Sequence, residues 1–252
     1  MAEIKKPLLE ICVDSVESAE AAQRGGADRI EFCGHLMIGG VTPSPAFYKE
    51  TIKTVSLPMN VMIRPRFGEF CYEEEEIKIM EEEIRIYRDL GANGVVFGVL
   101  TADGYINMPA MERLRKAAGD MECTLHRCID VSADPFKTLE DVISIGMNTI
   151  LTSGQKESCI DGAPLLKELY ARADGRIDIM AGAGLRAEKI PELYAETGIT
   201  SYHMSGAMRR DSKMIYRKDD VHMGLPSMSE FDFDVCSEEI VAEAKNYLNL
   251  IG

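Results

Sequence analysis

The sequence predicts an α/β protein with a (β/α)8 (TIM) barrel, and three observations support that prediction. Short β-rich runs alternate with helical patterns along almost the whole chain, which is the order expected of a parallel α/β fold. About eight strands and eight helices fit into 252 residues, the usual size of such a barrel. No linker, low-complexity stretch or composition shift divides the chain, so residues 1–252 are expected to form a single domain.

The predicted strands are short runs of mainly apolar residues bounded by turn residues. In chain order they are 8–14, 28–33, 59–66, 94–100, 122–130, 149–154, 176–182 and 201–206. The helical patterns alternate with them and cover 15–25, 44–55, 73–90, 109–119, 134–146, 162–174, 186–198 and 237–250. Ser44-Pro45 and Asp134-Pro135 are typical helix starts, and Gly91, Gly146 and Gly198 stand where helices should end.

The alternative architecture is a doubly wound open sheet. Such a sheet carries a Gly-rich nucleotide loop after its first strand. Here no glycine follows strand 8–14 until residue 25, which favours the barrel. Residues 207–236 are the one long irregular segment, and we expect them to fold over a barrel face or to join a subunit contact.

Composition excludes several classes of protein. A formal net charge of −14 and a pI near 4.8 argue against a nucleic-acid surface or an anionic-membrane surface, since both need clustered Lys and Arg. No apolar stretch approaches the ~18 residues of a membrane span, and no export signal is evident, so we expect a cytoplasmic protein. The seven cysteines are scattered, form no CxxC pair, and are expected to be reduced thiols.

Alternation along the strands predicts which side chains point into the barrel mouth. Apolar positions face the helices, and the opposite parity carries polar groups. On this basis the inward residues are Glu10, Cys12, Glu31, Cys33, Arg64, Arg66, His126, Cys128, Asp130, Ser153, His203 and Ser205. Any one of them could be a satisfied core group. So many ionisable side chains in one place indicate a functional site.

Proton transfer and anion binding are the chemistry that these residues favour. His126 is the first candidate for general acid/base work because its usual pKa is near neutral, with Glu31 as its partner. Glu10 and Asp130 are the other candidate catalytic carboxylates. Arg64 and Arg66, two apart on one strand, form a fork for a carboxylate or phosphate, or else pair with the two glutamates.

The loops after the last two strands occupy the usual phosphate site of barrel enzymes. Gly182 and Gly184 lie in the first loop, and Ser205 begins the second. Ser153 and His203 complete the predicted anion-binding set. We therefore expect the ligand to be a small anionic molecule.

Cys12 and Cys33 raise the possibility of a metal site. Adjacent parallel strands lie about 4.8 Å apart, so two inward thiols at the same level could hold one soft ion. Thiolates prefer Cu(I), or zinc with further ligands. The alternative is that both cysteines are buried and act as small apolar side chains.

Several motifs together resemble one known family, the CutC family. They are LLEICVDSVESAEAAQRGGADRIEFC, GGVTPS, VMIRPRFGEFCY, GANGVVFGVLTADGYI, HRCIDVSADP, ILTSGQ and YHMSG, and they span about residues 8–206 in order. The resemblance implies a (β/α)8 barrel, a cytoplasmic homodimer or homotetramer, and a role in copper homeostasis. It also implies Cu(I) ligands at Cys12 and Cys33.

The sequence departs from the family pattern in two places. The loop after the seventh strand, usually P-G-G-G, reads Ala181-Gly182-Ala183-Gly184 here. If its second glycine needs a positive φ, Ala183 weakens the anion site. The family's His-Arg-x-x-Asp is kept from His126 to Asp130, but Cys128 replaces the usual alanine.

Three functions follow from these observations. The first is copper handling, with Cu(I) as partner. The second is a barrel enzyme that acts on a small anion by acid–base chemistry. The third is a non-catalytic binding module, which would be favoured if residues 207–236 sealed the mouth.

Overall fold

Eight parallel strands close into a barrel in sequential order, β1 to β8, as the sequence predicts. The computed structural model describes residues 6–218, 220, 221, 223 and 229–251. The strands are Leu8–Val13, Arg29–Phe32, Met59–Met62, Gly94–Phe97, Glu122–Leu125, Thr149–Thr152, Asp178–Ala181 and Ser201–Met204. β1 pairs with both β2 and β8, which closes the barrel without a free edge.

The helices form the outer layer. In chain order, α1 to α8 are Val16–Arg24, Pro45–Thr51, Glu74–Asp89, Met108–Ala118, Pro135–Ser144, Ala163–Ala173, Ile190–Thr197 and Glu238–Asn249. The start signals act as expected: Ser44 and Asp134 accept backbone N–H groups of α2 and α5, each followed by proline in the first turn. No helix of the described residues has both the length and the apolar character to cross a bilayer.

The strands alternate as the parity rule requires. On β1, Leu9, Ile11 and Val13 are buried in the large apolar core between strands and helices. Glu10 and Cys12 point the other way, into the barrel. The core thus holds a ring of inward polar side chains at the carboxyl ends of the strands, where barrel enzymes place their sites.

Several strands end earlier than predicted. β3 ends at Met62 instead of residue 66, and β5 ends at Leu125 instead of residue 130. Arg66 lies in a loop and Asp130 lies in the short 3-10 helix Arg127–Val131, so strand parity does not determine where their side chains point. This difference moves Arg66 and Asp130 away from their expected positions.

The segment 207–236 is not wholly irregular. Its two ends form an antiparallel hairpin, β9 (Ala207–Asp211) with β10 (Asp232–Cys236). The hairpin is fastened to α1, since Arg210 forms an ion pair with Glu17 and the Cys236 N–H donates to Ser18 Oγ at 3.1 Å. Pairing across some 20 residues is non-local, which is why a local sequence pattern did not show it.

Candidate functional site

A cavity of about 320 Å3 lies at the carboxyl ends of the barrel strands. Seven of the predicted site residues line it, from six different strand ends and the loops after them: Cys12, Glu31, Arg64, His126, Gly184, His203 and Ser205. The apolar remainder of the wall includes Met62, Phe70 and Leu151. No described residue of 207–236 lines this cavity, so the described part of that segment does not seal it.

Glu10 lies beneath the cavity floor, not in its lining. Its carboxylate accepts from Arg29 Nε at 2.5 Å, and the Nδ1 atom of His203 lies 2.9 Å from its other oxygen. Burial alone would raise the pKa of Glu10, but the Arg29 charge and the His203 contact lower it to about 2. Glu10 is therefore an ionised anchor that orients His203, and it is not the exposed catalytic carboxylate that we expected.

Glu31 is the carboxyl group that the cavity exposes to a ligand. It is 3% exposed, and its Oε1 has no hydrogen-bond partner among the described residues. Burial raises the pKa of Glu31, and the negative charge of Glu10 adds to the rise. A carboxyl group whose pKa is raised in this way keeps its proton at a higher pH than an exposed one, which suits it to proton transfer.

His203 is the basic partner of Glu31. Burial alone would lower the pKa of His203, but Cys12, Glu31 and the bond to Glu10 raise it well above 6.5. Its Nε2 lies 3.8 Å from Glu31 Oε2. The sequence placed His203 in the anion-binding set, and the structure gives it an acid–base partner as well.

His126 lines the cavity as predicted, but its pKa is far below the near-neutral value that we expected. Burial and the nearby Arg64 charge lower the pKa of His126 to about 3, so the ring is neutral at neutral pH. Its Nδ1 accepts the Cys128 N–H at 3.2 Å, which leaves the proton on Nε2. That N–H has no acceptor among the described residues. His126 can thus donate a hydrogen bond to a ligand, which replaces the expected acid–base role.

The predicted arginine fork does not form. Arg64 is 7% exposed and donates to the carbonyl groups of Gly39, Gly40 and Gly68, and no carboxylate of the described residues pairs with it. Arg66 lies outside the cavity lining and pairs with Glu69 and Glu76 on the surface. Neither arginine pairs with Glu10 or Glu31 among the described residues, so that alternative is also wrong.

Asp130 and Ser153 hold a loop and lie outside the cavity lining. The Asp130 carboxylate accepts from Thr152 Oγ1 at 2.6 Å and from the Ser153 N–H at 3.0 Å, and it pairs with Arg127 at 2.8 Å. Ser153 Oγ donates to the Lys156 carbonyl at 2.5 Å. These bonds fix the loop after β6, and they hold the Asp130 carboxylate outside the cavity lining instead of facing a ligand there.

In the loop after β7, the second glycine position of the family pattern does have a positive φ, and Ala183 occupies it. Ala183 adopts φ +78°, a left-handed conformation that favours glycine. Gly184 follows at φ +63° and lines the cavity, whereas Gly182 lies behind it, where a Cβ would meet Leu151 at 2.7 Å. The N–H groups of residues 183–185 donate to no described residue, so they are available to an anion despite Ala183.

The two cysteines stand at different levels. The register pairs Cys12 with Glu31, so Cys33 comes one inward position further along the barrel. Cys33 is completely buried against Met62 and Val96 outside the cavity lining, and its Sγ donates to Glu31 Oε2 at 3.4 Å. Burial and the Glu31 charge raise the pKa of Cys33 well above 9. Cys12 alone of the two thiols faces the cavity.

Two charged residues at the site were missed. Arg29 has the same strand parity as Glu31 and could have been found by extending the alternation one position back. Arg127 lines the cavity from the short 3-10 helix after β5, where no strand rule applies. Phe70 packs against His126 with ring centroids 4.6 Å apart and ring planes tilted by 43°, and it also lies in a loop without sequence periodicity.

Comparison with known proteins identifies the family. The model of the CutC family matches residues 7–208, which is most of the chain. The chain belongs to the CutC family. A CutC relative from Parabacteroides distasonis is 45% identical over 230 residues, covering 90% of this chain and 94% of its own. The human relative, named Copper homeostasis protein cutC homolog, is 42% identical and covers 96% and 90%.

Solved structures agree with this assignment. The crystal structure of CutC from Streptococcus agalactiae superposes with a TM-score of 0.74 at 32% identity, covering 79% of this chain and 98% of its own. Thiamine phosphate pyrophosphorylase from Pyrococcus furiosus reaches a TM-score of 0.58 at 13% identity, which shows a shared barrel fold and nothing more. The CutC assignment confirms the family and the fold that the sequence predicted.

Proposed function

We propose that this CutC protein is a barrel enzyme that binds a small phosphate- or carboxylate-bearing molecule and moves a proton on it. The observation that carries this proposal is the buried guanidinium of Arg64, which faces the same cavity as Glu31 and has no carboxylate partner among the described residues. An unpaired buried cation is costly, and an anionic ligand would supply the missing charge.

The donors around Arg64 support the same ligand class. The His126 Nε2–H and the unpaired N–H groups of Ala183 and Gly184 belong to the cavity wall. Neutral N–H donors and the fixed guanidinium of Arg64 bind an anion without themselves competing for its proton. On the other side, Glu31 and His203 lie 3.8 Å apart and are placed to exchange a proton with the bound molecule.

Anion binding is tested by calorimetry with inorganic phosphate and a panel of small phosphate esters and carboxylates. Arg64→Gln is expected to weaken binding at least about tenfold, the effect of removing a charge-assisted bond of ~1.5–3 kcal/mol. Arg66→Gln is the matched control, because Arg66 lies two residues further and pairs only on the surface. Equal effects of the two substitutions would contradict the proposal.

Acid–base chemistry is tested on any molecule that binds. The bound ligand is incubated with the protein in D2O, and its carbon-bound hydrogens are followed by NMR. Glu31→Gln is expected to stop exchange while binding persists, because the amide keeps the shape of the carboxyl group and cannot carry the proton. Exchange at the wild-type rate in Glu31→Gln would refute the role of Glu31.

Copper binding is the second proposal, since a relative carries copper homeostasis in its name. Both thiols flank one carboxylate, with Cys12 opposite Glu31 in register and Cys33 bonded to it at 3.4 Å. Cys33 fits a shared Cu(I) ion less well than Cys12, because it is completely buried outside the cavity lining. Titration of the reduced protein with Cu(I) decides this: Cys12→Ser and Cys33→Ser should each abolish binding, and unchanged stoichiometry would end the proposal.

We also propose that the chain forms one domain, acts in the cytoplasm and assembles as a homodimer or homotetramer. The first rests on the undivided composition of the chain, and the second and third rest on the family resemblance. Light scattering after size-exclusion chromatography tests the assembly, and a monomer would contradict it. Cell fractionation tests the location.

A further inference from the structure

Three atoms able to bind a metal meet at one side of the cavity. The thiol of Cys12, a carboxylate oxygen of Glu31 and a ring nitrogen of His203 all lie within 4.8 Å of one another. They come from β1, β2 and β8, which are neighbours in the closed sheet. The register sets Cys12 opposite Glu31 and Glu10 opposite His203, so the strands themselves fix this grouping.

The orientation of His203 is that of a metal ligand. Glu10 is held ionised by Arg29 and can only accept, so the His203 Nδ1 must carry a proton toward it at 2.9 Å. Nε2 then points toward Glu31, and a cation that displaces the Nε2 proton would bind the lone pair on that side. A carboxylate that fixes the far nitrogen of a histidine in this way is the usual support behind a metal-binding histidine.

Glu31 gives an independent reason to place a cation here. Its Oε1 is buried and accepts no hydrogen bond from any described residue. A buried carboxylate oxygen without a donor is costly, and a bound cation would satisfy it. Cys12 is half-buried and lines the cavity, so an ion arriving through the mouth can reach all three side chains.

We propose that Cys12, Glu31 and His203 form a three-ligand site for a borderline divalent cation such as Zn2+, with its fourth position open to the cavity. One sulfur, one oxygen and one nitrogen suit zinc, whereas Cu(I) favours several thiolates. Three protein ligands with an open position are typical of catalytic zinc. A bound ion would replace the proton-exchange role of Glu31 and His203, whereas the proposed anion binding at Arg64 needs no metal.

The test uses the full-length, reduced, chelator-treated protein. It is titrated with Zn2+ by calorimetry and with Co2+ by absorption spectroscopy at neutral pH. We expect one ion per chain and a thiolate-to-cobalt charge-transfer band. Cys12→Ser should remove the band, and Glu31→Gln should weaken Zn2+ binding by more than about tenfold. His203→Asn should do the same, because asparagine can still donate to Glu10 but has no atom in place of Nε2.

Two further cysteine variants make the result decisive. Cys71→Ser is the control, since Cys71 is exposed and outside the cavity, and it should bind Zn2+ like the wild type. Cys33→Ser should also leave the Co2+ band in place. Loss of binding in Cys33→Ser, with Glu31→Gln and His203→Asn unaffected, would overturn the site in favour of a two-thiol one. Absence of a stoichiometric ion in the wild type would overturn it outright.

The metal site and the anion site can fail separately. Arg64→Gln should bind Zn2+ normally, because Arg64 is not one of the three ligands. Cys12→Ser should still bind the anion, because the thiol is not among the donors proposed for it. Loss of both functions in both variants, with folding intact by circular dichroism, would contradict the separation of the two sites.

Discussion

Neutralising Glu10 tests whether the buried ionic group beneath the cavity supports the fold. Glu10 is completely buried and contacts both Arg29 and His203. Glu10→Gln keeps the size of the side chain and removes its charge. Arg29 would then keep Glu122, at 3.2 Å, as its carboxylate partner among the described residues.

Two independent estimates of the unfolding free energy lost in Glu10→Gln agree in magnitude. A pKa lowered on folding from 4.5 to about 2 corresponds to about 3 kcal/mol at neutral pH, at about 1.4 kcal/mol per unit. Removing one member of a buried ion pair typically costs about 3–5 kcal/mol. We therefore expect Glu10→Gln to lower the free energy of unfolding by about 3–5 kcal/mol and the Tm by roughly 10 °C.

The pH dependence gives a second readout. Because the pKa of Glu10 is lower in the folded state, its stabilisation is complete above about 4.5 and is lost as the pH falls toward about 2. Glu10→Gln should lack that acid-induced loss. The contribution of His203 to stability has the opposite pH dependence. Because the pKa of His203 is raised on folding, its stabilisation is complete below about pH 6.5 and is lost as the pH rises through its pKa in the folded state.

Urea unfolding followed by circular dichroism, at a series of pH values, measures both effects. Glu140→Gln is the control, because Glu140 pairs with Arg176 on the surface, where ion pairs contribute little. A free energy of unfolding for Glu10→Gln within about 1 kcal/mol of wild type would refute the role of Glu10. So would an acid-induced loss as large as that of the wild type.

Three further predictions follow from local geometry. Ala183→Gly should raise the free energy of unfolding in urea by up to about 1 kcal/mol, because glycine adopts φ +78° without strain; a loss of stability would contradict this. Gly98→Ala should lower it by about 1–3 kcal/mol, because a Cβ there would stand 2.4 Å from Cys128 Sγ; wild-type stability would show that the site can adjust. In the native protein Ellman's reagent should label exposed Cys71 first and buried Cys33 only slowly, so Cys71→Ser should remove the fast phase.

Much of the candidate site could be predicted because strand alternation is a local property. Once residues 8–14 are assigned to a strand, Glu10 and Cys12 must share a face, and Glu31 and His203 follow in the same way on their strands. The predictions were wrong where the strands ended early. Arg66 lies in a loop and Asp130 in a short 3-10 helix, where side-chain direction depends on hydrogen bonds made in the folded chain.

The protonation states of the two site histidines also could not be predicted without the folded structure. An isolated histidine titrates near neutral pH, but His126 lies in a buried wall beside Arg64, which lowers its pKa to about 3. His203 moves in the opposite direction because its neighbours are acidic. The two histidines have the same chemistry in the sequence, and only their surroundings separate a neutral donor from a charged one.

The sequence by itself determined the barrel, the order of its strands and the inward set on β1, β2 and β8, because periodicity and capping act within a few residues. Only the tertiary structure decided the level at which neighbouring strands meet. That register placed Cys12 at the level of Glu31 and His203, and not at the level of Cys33. Strand stagger in a closed barrel is fixed by all eight strands together, so the Glu-x-Cys order that residues 10–12 share with residues 31–33 could not reveal it.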